Sequence, residues 1–173
     1  MLTQPGNRRK LLLIRHAKSS WKFPQLHDHD RPLNRRGERD SLTMARHLAE
    51  QDEALDVIFS STAIRALDFA QLLSEFSGVS LVPDLSFYTF DADELLELLR
   101  NLPDSALRVA IVGHNPAITR VVNQLTRAAL TNVPTAGIVA IDCMMESWGE
   151  IGESAENSQM AWYYTPKILR HAR

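Results

Sequence analysis

Two four-residue apolar runs, Leu11-Leu-Leu-Ile14 and Val109-Ala-Ile-Val112, constrain this chain more than any other feature. Neither alternates apolar with polar positions. A strand with one wet face reads with period two, so unbroken runs this short fit strands buried on both faces. Such strands sit in a sheet covered by helices on each side. The rest of the pattern agrees. Strand-like runs are predicted at residues 10–15, 56–59, 79–82 and 108–112. Helical periodicity lies between and after them: from a cap at Asn34 to about Gln51, from a cap at Thr62 to about Phe76, from Asp91 to Leu102, and from Pro116 to about Ala129. Two late runs, at residues 136–143 and 160–165, have no helical pattern between them and read as an antiparallel pair at one edge, joined by a polar loop. The expectation is an α/β protein: a three-layer α/β/α sandwich with a mainly parallel sheet and an antiparallel edge.

Length and composition fit one domain. With 173 residues, 45% hydrophobic and 23% charged, the chain can bury a substantial core. Residues 1–9 read as a flexible N-terminal tail and residues 10–173 as a single domain. A net charge of −2 argues against a nucleic-acid partner. No run approaches the length of a membrane span, and the four apolar residues after Lys10 are too few for a secretory signal, so no membrane partner is expected and the location is read as cytoplasmic. The lone Cys143 excludes an internal disulfide and lies in an apolar run, where a small buried strand residue is expected.

In open α/β sheets, ligands bind beyond the carboxyl ends of the strands. Here Leu11-Leu-Leu-Ile14 runs into Arg15-His16, and Val109-Ala-Ile-Val112 runs into Gly113-His114-Asn115. The strand at residues 56–59 runs into Ser60-Ser61 and a helix carrying Arg65. A parallel sheet places two imidazoles and two guanidiniums along one edge. Guanidinium holds phosphate oxygens through a planar fork of donors. Phosphoryl transfer needs positive charge on the equatorial oxygens and an in-line nucleophile, which imidazole can supply by forming a covalent phosphohistidine. A second, protonated histidine would add charge and a donor, and no metal or other cofactor is required. The tripeptide Arg-His-Ala alone means little, because it recurs at Arg170-His171-Ala172 with no strand before it. A competing metal reading of His27-Asp28-His29-Asp30 meets a geometric limit: neighbours on an extended segment point opposite ways, so at most two face one ion.

These residues resemble the histidine phosphatase superfamily, also called the phosphoglycerate-mutase-like fold, and more closely its SixA-like phosphohistidine phosphatase branch. The matching text is Leu13-Ile14-Arg15-His16-Ala17-Lys18-Ser19-Ser20-Trp21, then Asp30-Arg31-Pro32-Leu33-Asn34 with Gly37, then Ser60-Ser61 with Arg65-Ala66, then Val112-Gly113-His114-Asn115-Pro116, continuing to the region of Trp162 and Pro166. The resemblance implies His16 as nucleophile, Arg15, Arg65 and His114 as the phosphate pocket, and no cofactor. Asn115 replaces the aspartate that donates a proton in the acid-phosphatase branch, and the mutase-type glutamate has no counterpart near Ser86-Phe-Tyr88. That leaves Asp28 and Asp30 as candidate acids, with Asp28 favoured. The implied activity is a metal-independent phosphatase working through phospho-His16 on a phosphorylated protein. The alternatives are a phosphomonoesterase for small phosphorylated substrates, or a non-catalytic phosphate-binding module.

Overall fold

The computed structural model describes residues 8–172. Six strands form one sheet: β1 (Arg8–Arg15), β2 (Val57–Ser60), β3 (Leu81–Pro83), β4 (Arg108–Gly113), β5 (Ile138–Met144) and β6 (Ser158–Tyr164), in the order β3-β2-β4-β1-β5-β6. The β3, β2, β4 and β1 strands are mutually parallel. The β5 strand runs antiparallel to β1, and β6 antiparallel to β5, which makes the expected antiparallel edge. Five helices accompany the sheet: α1 (Arg35–Glu50), α2 (Ile64–Ser77), α3 (Ala92–Arg100), α4 (Ala117–Thr126) and α5 (Pro166–His171).

The unbroken apolar runs are explained by this layering. Successive strand side chains point to opposite faces. Leu11 and Leu13, with Val109 and Ile111, join the core under α3 and α4. Leu12 and Ile14, with Ala110 and Val112, join the core under α1 and α2. Both faces are dry, so every position must be apolar. The fold is the expected α/β sandwich.

Several boundaries differ from those read in the sequence. The β1 strand begins at Arg8, where Arg8 and Arg9 pair with Met144 and Cys143, so only residues 1–7 of the expected tail remain, and these lie outside the described residues. Thr62 does not cap α2; Ala63 stands at that position, and the Thr62 hydroxyl meets His29 Nε2 at 2.8 Å. The β3 strand reaches Pro83, which an edge strand tolerates because no ladder donor is needed on its free side. The second Arg-His-Ala lies largely on α5, capped by Thr165, with Arg170 bonded to the buried Asp40 at 3.2 Å. The stretch at residues 146–159 is no simple polar loop: Trp148 is fully buried and donates its indole N–H to the Ala106 carbonyl at 2.8 Å.

Candidate active site

Strand register brings the predicted residues to one edge. Arg15 lies opposite Gly113, and Ser60 opposite Val112, so β1, β2 and β4 end in step. Backbone bonds extend the alignment one residue further: His16 N–H to Gly113 O, and Ser61 N–H to Val112 O, both at 2.9 Å. His16, Ser61 and His114 therefore start from neighbouring positions, and the His16 and His114 rings stand 5.1 Å apart.

His16 is buried, and its Nδ1 lies 2.7 Å from the Ala17 carbonyl oxygen. A carbonyl only accepts, so Nδ1 carries the proton and Nε2 keeps a free lone pair. Burial, then the positive charges of Arg65, Arg15 and Arg31, push the ring pKa down to about 3, against the opposing effect of the Ala17 bond. His16 is thus neutral at physiological pH.

His114 is locked by two partners. Its Nε2 meets Ser61 Oγ at 2.7 Å, and its Nδ1 faces Arg65 Nη2 at 3.5 Å. The guanidinium only donates, so Nδ1 accepts and Nε2–H donates to the serine. Burial, His16 and Arg65 lower its pKa to about 2. This corrects the expectation of a protonated second histidine. The cationic charge at this edge belongs to the arginines.

Arg65 is 2% exposed. It spans the Asp28 residue, with Nη1 donating to the backbone carbonyl at 2.6 Å and Nη2 to Oδ2 at 2.8 Å. Arg15 donates through Nη1 to Val133 O at 2.9 Å and to Asn132 Oδ1 at 3.3 Å. Asn115 holds the same two acceptors at 3.0 and 2.8 Å, while its own Oδ1 accepts from Thr119 in the first turn of α4. Asn115 thus anchors the 132–133 segment that supports Arg15. Burial, then the Arg65 charge, lowers the Arg15 pKa. Arg15 Nε, Arg65 Nε and Arg31 Nη1 are buried without a protein partner. Buried donors of this kind are costly unless an acceptor satisfies them. The charges of all three arginines act on the His16 ring, which makes this edge cationic.

Asp28 occupies a different chemical state from a proton donor. Its Oδ2 also accepts from the Tyr88 hydroxyl at 2.6 Å, and its Oδ1 from Arg31 Nε at 3.2 Å. Burial raises the carboxyl pKa, but Tyr88 and Arg65 outweigh it and hold the group at about 2. The carboxylate is ionised at neutral pH and offers no proton. Asp30 turns aside to His29 Nδ1, at 3.3 Å. Asp28 is thus held by Arg65, Arg31 and Tyr88, and His29 by Thr62 and Asp30, and no group of three metal-ligating side chains gathers among the described residues.

Tyr88 went unread as a site residue in the sequence. It lies after β3, a parallel strand ending at this same edge, and its ring stands 5.3 Å from His114. A strand-end search limited to histidine and arginine passes over it. Phe90 adds a second ring against His114, at 5.2 Å. A separate recess of about 390 Å³, lined by Arg8, Arg9, Lys10 and Arg108, lies at the opposite end of β1 and β4. Three of these cations are paired within the protein: Arg9 with Asp104, Lys10 with Glu53 and Asp142, and Arg108 with Glu53.

The comparisons with known proteins agree with this geometry. Residues 11–95 match the model of the histidine phosphatase superfamily (branch 1). An uncharacterised chloroplastic protein of Arabidopsis thaliana is 30% identical over 156 residues, covering 82% of this chain and 70% of that protein. A solved structure of a putative phosphohistidine phosphatase SixA from Agrobacterium tumefaciens superposes with a TM-score of 0.77 at 24% identity, covering 91% of this chain and 98% of that one. A mycobacterial glucosyl-3-phosphoglycerate phosphatase complexed with VO3 superposes with a TM-score of 0.66 at 16% identity, covering 91% and 99%. Fold and sequence together define an α/β/α protein of the phosphoglycerate-mutase-like kind. The chain belongs to the histidine phosphatase superfamily, branch 1.

Proposed function

We propose that this protein is a metal-independent phosphatase that forms a phosphohistidine on His16 and removes phosphate from phosphohistidine in a protein substrate. The observation that carries the reading is the His16 ring itself: neutral, with its Nδ1 proton held by Ala17, and set among Arg15, Arg31 and Arg65. The Nε2 lone pair attacks phosphorus while the guanidiniums take the charge on the non-bridging oxygens. Water then releases phosphate and restores the neutral ring.

The leaving group supports the substrate class. An alcohol leaves with difficulty as an alkoxide and needs a proton in the transition state. Asp28 is ionised and bonded to Arg65 and Tyr88, so it serves as an anchor for Arg65 and not as that acid. The imidazole of a phosphohistidine leaves neutral when its other nitrogen carries a proton, and requires no strong acid.

Labelling with radioactive phosphoramidate tests the nucleophile. Wild-type protein is expected to take up label that is acid-labile and base-stable. His16→Ala is expected to take up none, and label on that variant overturns the assignment. Activity is expected to survive a chelator.

A second reading, a phosphomonoesterase for small phosphorylated metabolites, draws on the fold shared with the mycobacterial glucosyl-3-phosphoglycerate phosphatase. Leaving-group dependence separates the two. Fast turnover of phosphoramidates beside feeble turnover of alkyl phosphates favours the first, and the reverse favours the second. Phosphate binding without any turnover identifies a binding module.

A further inference from the structure

The loop between β1 and α1 carries a second feature beside the pocket. Its base is pinned: Ser19 bridges Leu33, Ser20 N–H donates to Pro32 O at 2.8 Å, and Asn34 N–H to Lys18 O at 3.0 Å. A turn from Leu26 N–H to Phe23 O at 3.1 Å shapes its tip. The tip is apolar and wet: Trp21 is 74% exposed, Phe23 45% and Leu26 38%. Trp21 is also fixed in place, its ring lying 3.5 Å from the guanidinium carbon of Arg31. Arg31 bonds Asp28, and Asp28 bonds Arg65, so this exposed indole stands at the end of a short chain of contacts that leads to the phosphate site. Across the pocket, Leu85 and Phe90 are exposed in the segment after β3, and the Tyr88–Asp28 bond ties the two sides together.

Large exposed apolar groups on a rigid frame mark interaction surfaces, because little ordering entropy is lost when they are covered. On the 18–26 loop itself the charge is one-sided, with two lysines and no carboxylate, whereas the segment of Leu85 and Phe90 carries Asp84, Asp91, Asp93 and Glu94. Asp28 is the first acidic residue in the chain, and Lys18 and Lys22 on this loop are exposed. Asp28 itself is matched by Arg31 and Arg65. The loop is therefore apolar and locally cationic on a protein whose net charge is −2.

We propose that the 18–26 loop is the docking surface for the phosphorylated protein, receiving an apolar patch rimmed by carboxylates next to the phosphohistidine. The inference rests on the phosphohistidine reading above and deepens it. Apolar contact with Trp21, Phe23 and Leu26 gives affinity, and Lys18 and Lys22 select an acidic rim and speed encounter. Free phosphohistidine engages only the pocket.

The test compares two substrates: a histidine-phosphorylated phosphotransfer domain prepared with phosphoramidate, and free phosphohistidine. Phe23 and Leu26 are chosen for substitution because, unlike Trp21, neither is stacked on Arg31. For Phe23→Ser/Leu26→Ser, KM for the phosphoprotein is expected to rise at least about tenfold. Lys18→Glu/Lys22→Glu is expected to lose most of the salt dependence of kcat/KM on the phosphoprotein. Phe23→Ser/Leu26→Ser is expected to turn over free phosphohistidine within about twofold of wild type, and Lys18→Glu/Lys22→Glu to lose clearly less on free phosphohistidine than on the phosphoprotein. Equal loss on both substrates, or no loss on either, overturns the docking proposal. Binding of the loop to phosphatidylserine vesicles, with no effect on phosphoprotein turnover, overturns it in favour of a membrane surface. If wild type hydrolyses neither form of phosphohistidine, the substrate reading itself fails and takes the docking proposal with it. The two failures are thus distinguishable.

Discussion

His16 gives its Nδ1 proton to the carbonyl of the residue that follows it, Ala17, across 2.7 Å. One local contact thereby sets the tautomer and leaves Nε2 with a free lone pair. With the ring pKa pushed down to about 3 by burial and three nearby guanidiniums, the proposed nucleophile stays neutral throughout the mildly acidic range in the unliganded protein. A histidine of ordinary pKa would lose about tenfold in neutral fraction between pH 7.5 and 5.5. Once the substrate's own titration is corrected for, kcat/KM is expected to change by less than about twofold over that interval. A tenfold fall, traced to His16 by NMR titration of the ring, contradicts the geometry.

The same shifts link stability to pH. His16 and His114 are both held neutral in the fold, with pKa values of about 3 and about 2, while the unfolded rings sit near 6.5. Between these values the unfolded chain binds the extra protons, so stability is full above pH 6.5 and falls as pH drops toward 3. Each ring contributes a slope of about 1.4 kcal/mol per pH unit inside that window. Replacing His114 with Gln removes one titrating ring. Urea unfolding at pH 5.5 and 4 is expected to show a weaker pH dependence for that variant, by about 2 kcal/mol over the interval. Equal dependence in the two proteins contradicts the assignment.

Asp28 is expected to behave as an anchor. Removing a general acid costs about 10²–10⁴-fold in rate. Asp28→Asn keeps an oxygen for Arg65 and Tyr88 but removes a negative charge from beside the pocket. Its kcat on phosphoramidate is expected to fall by less than about tenfold, and inorganic phosphate is expected to inhibit it more tightly than wild type. A loss of a hundredfold or more in kcat, with phosphate affinity unchanged, assigns the proton to Asp28 after all. The carboxyl also bears on acid stability. Its pKa of about 2 lies below the ordinary 3.8, so its contribution is present above about pH 4 and is lost as pH falls toward 2.

Gly37 is required by its neighbour. A β-carbon there would stand 2.1 Å from the Lys18 carbonyl oxygen, a backbone atom pinned by the loop base. Gly37→Ala is expected to cost at least about 1–3 kcal/mol by forced repacking. Thermal unfolding is expected to show this as a fall of several degrees, with about 2–4 °C per kcal/mol for a chain of this size. An unchanged midpoint means the α1 helix can move away from the loop.

The fold was legible because its evidence is periodic. Leu11 to Ile14 and Val109 to Val112 announce a sheet with two dry faces, and the layering follows. The strand-end residues His16, Arg65 and His114 were legible for the same reason, since strand ends define the site edge. What escaped was decided by long-range side-chain geometry. Nothing near Tyr88 in the sequence shows that its hydroxyl meets a carboxylate sixty residues away, at 2.6 Å. The charge state of His114 depends on burial beside Arg65 and His16, which strand spacing does not reveal. Thr62 reads as a helix cap by residue type, yet His29 claims its hydroxyl from another loop.

The two dry faces of β1 reach further than the core. A strand buried on both sides has no freedom to slip, because a shift by one residue exchanges the side chains of its two layers. Arg15 therefore stays opposite Gly113, and His16 keeps its place relative to His114, whatever occupies the space between them. The spacing of the two rings is inherited from leucines and valines that never touch the reacting atoms. Chemistry at this edge can change residue by residue while the ruler that measures it stays fixed.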